Sequence, residues 1–357
     1  MNKIKELVFD LPEQYQIIYG YPEFDNNPSR ACVDRAKLLI DLVEKLIEHY
    51  QRPIKVLDLG CAQGYFCFRL AELGCEVVGV DFLDKNIAVC SELGMQNANL
   101  KCKFEIGDVV DKIESIQAGD FDLIYSFSVL HHVCHFRGKD FVQQKLVELS
   151  HKCDVFLYEA ALKSEPLYWA PSLPEEANEL IQHFDFYREL QQFGTHLSDV
   201  VRPLYFCSNK FLYLSGALDA FGSASYSSHD QYDVTHKDAR RYYYMSNKFV
   251  KVYYFKGQHA QENFKQIQNE IEIYSSGKLN KLSNYIPGFL GGELFNDLGY
   301  VAIQKISGEI ISKLQSSGNF ILKGDLIHDL MRFLAALEEI NLYYNDLRTW
   351  NVMLDND

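Results

Sequence analysis

The first half of the chain alternates two hydrophobic patterns. Short β-branched and aliphatic runs, bounded by glycine or polar turns, alternate with stretches whose apolar residues recur three and four apart. The runs are Lys55–Leu59, Glu76–Asp81, Cys102–Ile106, Phe121–Ser126 and Val155–Glu159. Between them the helical period predicts helices over Gly64–Leu73, Lys85–Leu93, Val109–Ile116 and Phe141–Leu149. A longer helix over Arg30–Tyr50 comes first, with Leu38, Leu39, Leu42, Val43 and Leu46 on one face. Strand–helix alternation at this spacing requires right-handed crossovers, which make an α/β, doubly wound parallel sheet. Ligands of such sheets sit beyond the carboxyl ends of the strands.

The pattern changes after Glu159. Residues 163–205 carry Pro166, Pro171, Pro174 and Pro203 among Tyr168, Trp169, Phe184, Phe186 and Tyr187. They read either as an acceptor-side insertion or as a packing extension of the sheet, with a helix near Glu175–Phe193. The Gly- and Ser-rich stretch 215–230 reads as a linker between domains or as a loop at the start of the second. This divides the chain into a first domain over 1–210 and a second over 211–357. In the second, Arg240–Tyr244 and Phe249–Phe255 predict a hairpin, followed by a helix over about Glu262–Ser275. A strand then runs from Gly299 to a turn at Gly308. The last periodic helix faces Leu326, Leu330, Phe333, Leu334 and Leu337 inward.

Composition narrows the function classes. A net charge of −14 disfavours non-specific nucleic-acid binding, so no nucleic-acid partner is expected. The nine cysteines are odd in number and form no C-x-x-C pair, which suggests reduced thiols of a cytoplasmic protein, not a disulfide framework. No apolar run approaches the roughly 20 residues of a membrane span, and the N-terminus lacks the apolar core of a signal peptide.

The chemistry begins at Val56–Phe66, where a strand runs into Gly60, a short turn, and Gly64 at the start of a helix. Gly60 permits a sharp turn and close ligand approach. Gly64 opens a helix whose free N–H groups favour a polar or anionic ligand. Asp81 ends the second strand, where a carboxylate can accept both hydroxyls of a ribose. Asp108 follows the third, where an acid can accept an adenine amino group. The fourth strand runs into Ser128-Val129-Leu130-His131-His132. The Asp58-x-Gly60-x-x-x-Gly64 motif resembles the first motif of class I S-adenosylmethionine (SAM) methyltransferases. That resemblance implies SAM as methyl donor and places the loop after the fourth strand against donor and acceptor. His131 and His135 stand one helical turn apart and could ligate a metal, but no carboxylate or second cysteine cluster lies nearby. Binding an anionic acceptor is the favoured role for these histidines.

The second domain carries a different signature. Lys251 sits in an aromatic, β-branched strand, Glu270 in the next helix, and Asp346 stands five residues before Asn351. This order resembles the catalytic loop of protein-kinase-like folds. There Asp346 would orient and deprotonate an attacking hydroxyl, Asn351 would hold Mg²⁺ on ATP, and Lys251 would pair the phosphates and Glu270. Two features depart from that pattern. Tyr344-Asn345 replaces the usual histidine–arginine, and no glycine-rich phosphate loop precedes Lys251; His236, Lys237, Arg240 and Arg241 are candidates to replace it. The sequence as given ends at Asp357, before any D-F-G aspartate, so the kinase-like domain is incomplete. The chain is accordingly expected to methylate but not to phosphorylate.

Leu11–Gln16, Val56–Gly64, Val129–His132, Glu165-Pro166-Leu167-Tyr168-Trp169 and Asp346–Val352 together resemble the bifunctional kinase–methyltransferases that terminate polymannose O-antigen chains. The resemblance implies that a kinase phosphorylates the terminal mannose of a lipopolysaccharide chain and that the methyltransferase then methylates that phosphate. Its partners would be a polymannose-type glycan acceptor and a polymerising mannosyltransferase. It would act in the cytoplasm at the inner face of the inner membrane, with membrane association only through C-terminal segments absent from this sequence. SAM contacts would fall on Tyr15, Gln16, Arg35 and the strand-end residues Asp58, Gly60 and Gly64. They would continue through Asp81, Phe82, Asp108, Val109 and Phe127. Arg35 suits the SAM carboxylate, which guanidinium binds bidentately. His131 and His132 would hold the acceptor, and Mg-ATP would serve the kinase-like domain, with Asn351 as metal ligand. A phosphate monoester is already ionised near neutral pH and needs no strong base. A sugar-hydroxyl acceptor would need one, and a histidine is the candidate. The other alternative is a non-catalytic SAM-fold module that docks a glycosyltransferase.

Overall fold

The computed structural model describes residues 3–26, 28–30, 32–226, 239–318, 324–344, 347–349 and 351–355. The chain forms two units, Met1–Ala220 and Phe221–Asp357. In the first, α1 (Lys3–Phe9) and α2 (Val33–Tyr50) precede the alternating segment. That segment runs β1 (Lys55–Leu59), α3 (Tyr65–Ala71), β2 (Glu76–Asp81), α4 (Asp84–Gln96), β3 (Cys102–Ile106) and α5 (Val109–Ser115). It continues with β4 (Leu123–Phe127), α6 (Leu130–Arg137), α7 (Lys139–Ser150) and β5 (Val155–Glu159). Five parallel strands form the expected doubly wound sheet, and β1, β4 and β5 are buried on nearly every residue. Leu39, Leu42, Val43 and Leu46 of α2 are buried as the helical period requires, while Leu38 is half-buried.

The sheet does not stop at β5. β6 (Phe186–Phe193) and β7 (Arg202–Ser208) extend it to seven strands in the order β3-β2-β1-β4-β5-β7-β6, with β7 antiparallel to β5 and to β6. The helix expected near Glu175–Phe193 is therefore absent. Two short 3-10 turns, Ala170–Ser172 and Glu179–Ile181, lead instead into strand β6. Its backbone partners lie beyond the next turn on β7, and that ladder outweighs the local helical pattern. Part of the expected linker is ordered too. β8 (Phe211–Leu214) and β9 (Ala217–Ala220) form a hairpin whose turn residues Ser215 and Gly216 both have positive φ. Ile4 and Val8 of α1 pack with Ile18, Phe24, Phe68, Val89 and Leu93. All nine cysteines are free, and burial pushes the Cys61, Cys67 and Cys90 thiols up.

The second unit is a five-stranded antiparallel sheet. It comprises β10 (Ser223–Ser225), β11 (Arg240–Tyr244), β12 (Lys248–Tyr254), β13 (Phe289–Leu294) and β14 (Leu298–Gln304), ordered β10-β11-β12-β14-β13. Helix α8 (Ala260–Ser275) packs Ile267 against Tyr242, Tyr253, Val301 and Ile303. β15 (Gly308–Ile310), α9 (Ile311–Ser316) and α10 (Gly324–Glu339) follow, and β16 (Met353–Asp355) pairs with β15. The inward face expected for α10 is only partly covered. Leu337 is buried, Leu326, Leu330 and Phe333 are half-buried, and Leu334 is exposed. Among the described residues few elements reach the helix, so its apolar stripe is wider than the packing surface they supply. Among the described residues no helix is long and apolar enough to cross a membrane.

Gly60, with φ +90°, carries the turn after β1, and a Cβ there would collide with Val129 Cγ2. Gly60→Ala is expected to destabilise the first unit by about 1–3 kcal/mol, because the residue is both strained and overpacked. A denaturant melt of the purified variant measures this.

Candidate active site

The carboxyl ends of β1, β2 and β3 converge on the turn 60–64. Its backbone is latched by Asp81, whose Oδ2 accepts from Ala62 N at 2.9 Å. Oδ1 accepts from Leu83 N at 2.9 Å and from Asn86 Nδ2 at 3.1 Å. Asp81 therefore builds the turn as well as standing at the strand end. Gln63 links the turn outward: Gln16 N donates to its Oε1 at 2.9 Å, and its Nε2 donates to Asn86 Oδ1 at 2.6 Å. Gln16 Oε1 in turn accepts from Tyr65 N at 3.0 Å, capping the start of α3. This ties the Tyr15–Gln16 segment over the turn. Sequence reasoning missed Gln63 and Asn86; the only signal was their place within and just after the motif strands.

The other expected cofactor residues divide into two groups. Phe82, 81% exposed, and Ile106, 63% exposed, present bare apolar side chains at the ends of β2 and β3. Asp108 caps α5 by accepting from Val110 N at 2.7 Å. Val109 is buried, and Phe127 packs its ring against Phe66 and Tyr125. Asp58 departs from expectation. It is buried behind the turn, where Oδ2 accepts from Tyr125 Oη at 2.9 Å and from Cys67 Sγ at 3.3 Å. Burial raises its carboxyl to about 7. Asp58 thus braces the strand–helix layer rather than opening onto the strand ends.

Arg35 lies where the sequence placed it, on α2 beside the sheet, but its partner was not foreseen. Its Nη1 donates to Glu159 Oε2 at 3.0 Å, and Arg30 pairs with the other oxygen of the same carboxylate. Ser128 donates to Glu159 Oε1 at 2.6 Å. Arg30 also donates to Ser128, to Tyr15 Oη at 3.3 Å and to Gly194 O at 3.3 Å. Burial alone would raise the Glu159 carboxyl. The two guanidiniums and the hydroxyl reverse that and hold it below the usual range. Two arginines against one carboxylate leave this cluster with one positive charge in excess. Ser128 itself has φ +59°, a left-handed turn that starts α6.

Beyond that turn lies an aromatic–histidine cluster. The His131 ring sits 4.1 Å from His132 and 4.6 Å from Trp169, centroid to centroid. Tyr168 Oη is 3.3 Å from His132 Nδ1, and Ser172 Oγ is 3.4 Å from His135 Nδ1. Arg202 on β7 grips Glu165 with two bonds, Nε to Oε1 at 2.8 Å and Nη2 to Oε2 at 2.6 Å. Burial lowers both His131 and His132, and the nearby Arg202 charge adds to it, so both imidazoles are neutral at neutral pH. They can donate, accept or take a proton, but they carry no charge toward an anion. Glu165, Trp169 and Arg202 belong to this cluster only through tertiary packing.

In the second unit Lys251 stands on the interior strand β12 and pairs with Glu270 of α8. Burial alone would lower the ammonium; Glu270 reverses this and keeps it charged. Asn351 is exposed. Asp346, Asn345, His236 and Lys237 lie outside the described residues. Arg240 and Arg241 are buried in the sheet, and Arg240 bonds Asn263 and Gln266, so these two do not form an open phosphate loop.

Two expected outcomes follow from these charges. Glu159→Ala leaves Arg30 and Arg35 buried without their common counter-ion and is expected to cost about 3–5 kcal/mol in a denaturant melt. The unfolded His131 titrates near 6.5 and the folded one well below. Below that pH the unfolded chain binds a proton the folded chain refuses, so stability falls with acidification. His131→Asn is expected to flatten the fall below pH 6.5, measured as unfolding free energy against pH.

A methyltransferase-domain family model matches residues 51–148. The O-antigen chain terminator bifunctional methyltransferase/kinase WbdD of Escherichia coli is 34% identical over 359 residues, covering 99% of this chain and 50% of that protein. The chain thus spans about half the length of the curated relatives it matches over nearly its whole extent. A solved structure of the bifunctional kinase-methyltransferase WbdD superposes with a TM-score of 0.89 at 33% identity, covering 99% of this chain and 79% of that one. A structure of monomeric WbdD gives 0.87 at 32% identity and 84% coverage of its chain. Over 95 residues the chain is also 30% identical to the ubiquinone biosynthesis O-methyltransferase of Rickettsia akari, 26% of this chain and 36% of that protein.

Proposed function

Because the chain belongs to the family of bifunctional methyltransferase/kinases that includes WbdD, with a SAM-dependent methyltransferase domain as its first unit, we propose that it methylates the phosphate on the terminal mannose of an O-antigen polysaccharide and so caps the chain. The observation that carries this reading is the juxtaposition at the carboxyl ends of the sheet. A glycine turn with exposed Phe82 and Ile106 stands at β1–β3, and a cluster of neutral histidines with Arg202 stands beyond β4.

The residues fit the donor. Phe82 and Ile106 offer apolar faces to an adenine, and Asp81 and Asp108 flank them as acceptors for ribose and amino groups. The net positive charge of Arg30, Arg35 and Glu159 suits the donor's carboxylate. SAM supplies a methyl group already activated on sulfonium. What remains for the protein is alignment and the exclusion of water. His131 and His132, neutral and beside the Arg202 field, hold an ionised phosphate oxygen without protonating it. Neutral imidazole is also able to serve as base, which keeps a sugar-hydroxyl acceptor as the alternative.

The second unit is proposed to bind Mg-ATP in the longer family architecture. Lys251 and Glu270 would meet the phosphates, with Asp346 as base and Asn351 on the metal.

Mass spectrometry of synthetic mannosyl acceptors, with and without a terminal phosphate, tests both halves. With SAM alone, one methyl group is expected on the phosphorylated acceptor only. Methylation of the unphosphorylated acceptor would favour the hydroxyl reading, and SAM binding without any product would favour a docking module. With ATP and Mg²⁺, phosphate added to the mannose and lost in Asp346→Ala would show the second unit acting as a kinase in this chain.

A further inference from the structure

The aromatic–histidine cluster contains two polar atoms that its own packing does not satisfy. Trp169 Nε1 and His131 Nδ1 are both buried and have no hydrogen-bond partner among the described residues. Each side chain is only 4% exposed. A buried indole N–H is a donor and nothing else, and folded proteins rarely leave such a group unpaired without a reason. Here the two orphans belong to rings 4.6 Å apart, one in the first turn of α6 and the other in the segment that enters the 3-10 turn Ala170–Ser172.

We propose that Trp169 Nε1 and His131 Nδ1 are substrate-binding atoms, which together seat two oxygens of the acceptor's phosphate group. The inference rests on the phosphate-acceptor reading and adds the residue and atoms that recognise it. A phosphate monoester dianion only accepts hydrogen bonds. It therefore pairs with the indole N–H as it stands and selects the neutral imidazole tautomer with the proton on Nδ1. Arg202 supplies the positive field from beside the indole, its guanidinium carbon 6.0 Å from the Trp169 ring centroid. Glu165 grips two of its nitrogens and also accepts from Leu162 N at 2.9 Å, so Arg202 is held rather than free to swing into the site. Neutral donors close by and a fixed charge behind them bind a dianion firmly without protonating the oxygen that must attack.

The chain has two tryptophans, Trp169 and Trp350, so the indole N–H signals in a ¹H–¹⁵N spectrum are few enough to assign by substitution. Trp169→Phe keeps a ring in the cluster and removes only the donor. Its KM for a phosphorylated mannoside is expected to rise about tenfold, while the KM for SAM stays at the wild-type value. In the wild-type protein the Trp169 indole signal is expected to move on titration with the phosphorylated mannoside and with inorganic phosphate, but not with the unphosphorylated mannoside. If Trp169→Phe does not fold, the titration is read in Trp350→Phe, where Trp169 gives the sole indole signal. An indole that stays still with the phosphorylated mannoside, or moves equally with the unphosphorylated one, overturns the proposal whatever the kinetics. The two readings fail separately. Phosphate-dependent movement without methyl transfer would leave the seat standing and remove the methylation reading. Methyl transfer with a still indole would do the reverse.

Discussion

One buried carboxylate joins the parts of the first unit that must meet. Glu159 ends β5 and receives Arg35 from α2, Arg30 from the segment before it, and Ser128 from the turn after β4. Arg30 extends the connection to Tyr15 and to Gly194 in the β6–β7 connection. A charge buried this deeply is tolerable only when its partners are fixed in place. The same need for partners dictates where the helix, the N-terminal segment and the start of α6 can lie. An apolar triad of equal volume could hold the layers together as firmly. It would not orient Ser128 in its left-handed turn, and α6 would lose its defined start.

The two ends of the site have complementary electrostatics. Beside the glycine turn two guanidiniums face the one carboxylate of Glu159, and Asp81 and Asp108 stand at the tips of β2 and β3. Beyond β4 the histidines are neutral, and the Arg202 guanidinium is paired with the Glu165 carboxylate. Burial of His131 against Trp169 keeps its imidazole neutral. Under the proposed phosphate acceptor, a neutral imidazole would leave the attacking oxygen ionised.

The second unit repeats the principle on a smaller scale. Lys251 keeps its charge in the sheet only because Glu270 reaches it from α8. That pair ties helix to strand, and its strength depends on α8 keeping its apolar contact through Ile267. The exposed side of α10 shows the opposite case, a helix whose stripe exceeds the surface that the described residues supply.

Much of this was legible in the sequence because it is encoded locally. Strand and helix periods marked the succession of five parallel strands along the chain. Gly60 and Gly64 marked the turn, and Asp81 and Asp108 marked the strand tips. The same short-range signals placed Lys251 on a strand and Glu270 on the next helix. What escaped was decided by contacts between distant residues. Arg35 and Glu159 are separated by 124 positions, and Arg30 and Ser128 by 98, distances over which no periodicity reports. The strand at Phe186–Phe193 was misread because its ladder is completed by β7, not by its own pattern. Asp58 looked like a ligand residue until Tyr125 and Cys67 claimed its carboxylate. The neutrality of the histidines and the unpaired indole of Trp169 depend on burial. Burial belongs to the packed layers as a whole, so only the tertiary structure could decide them.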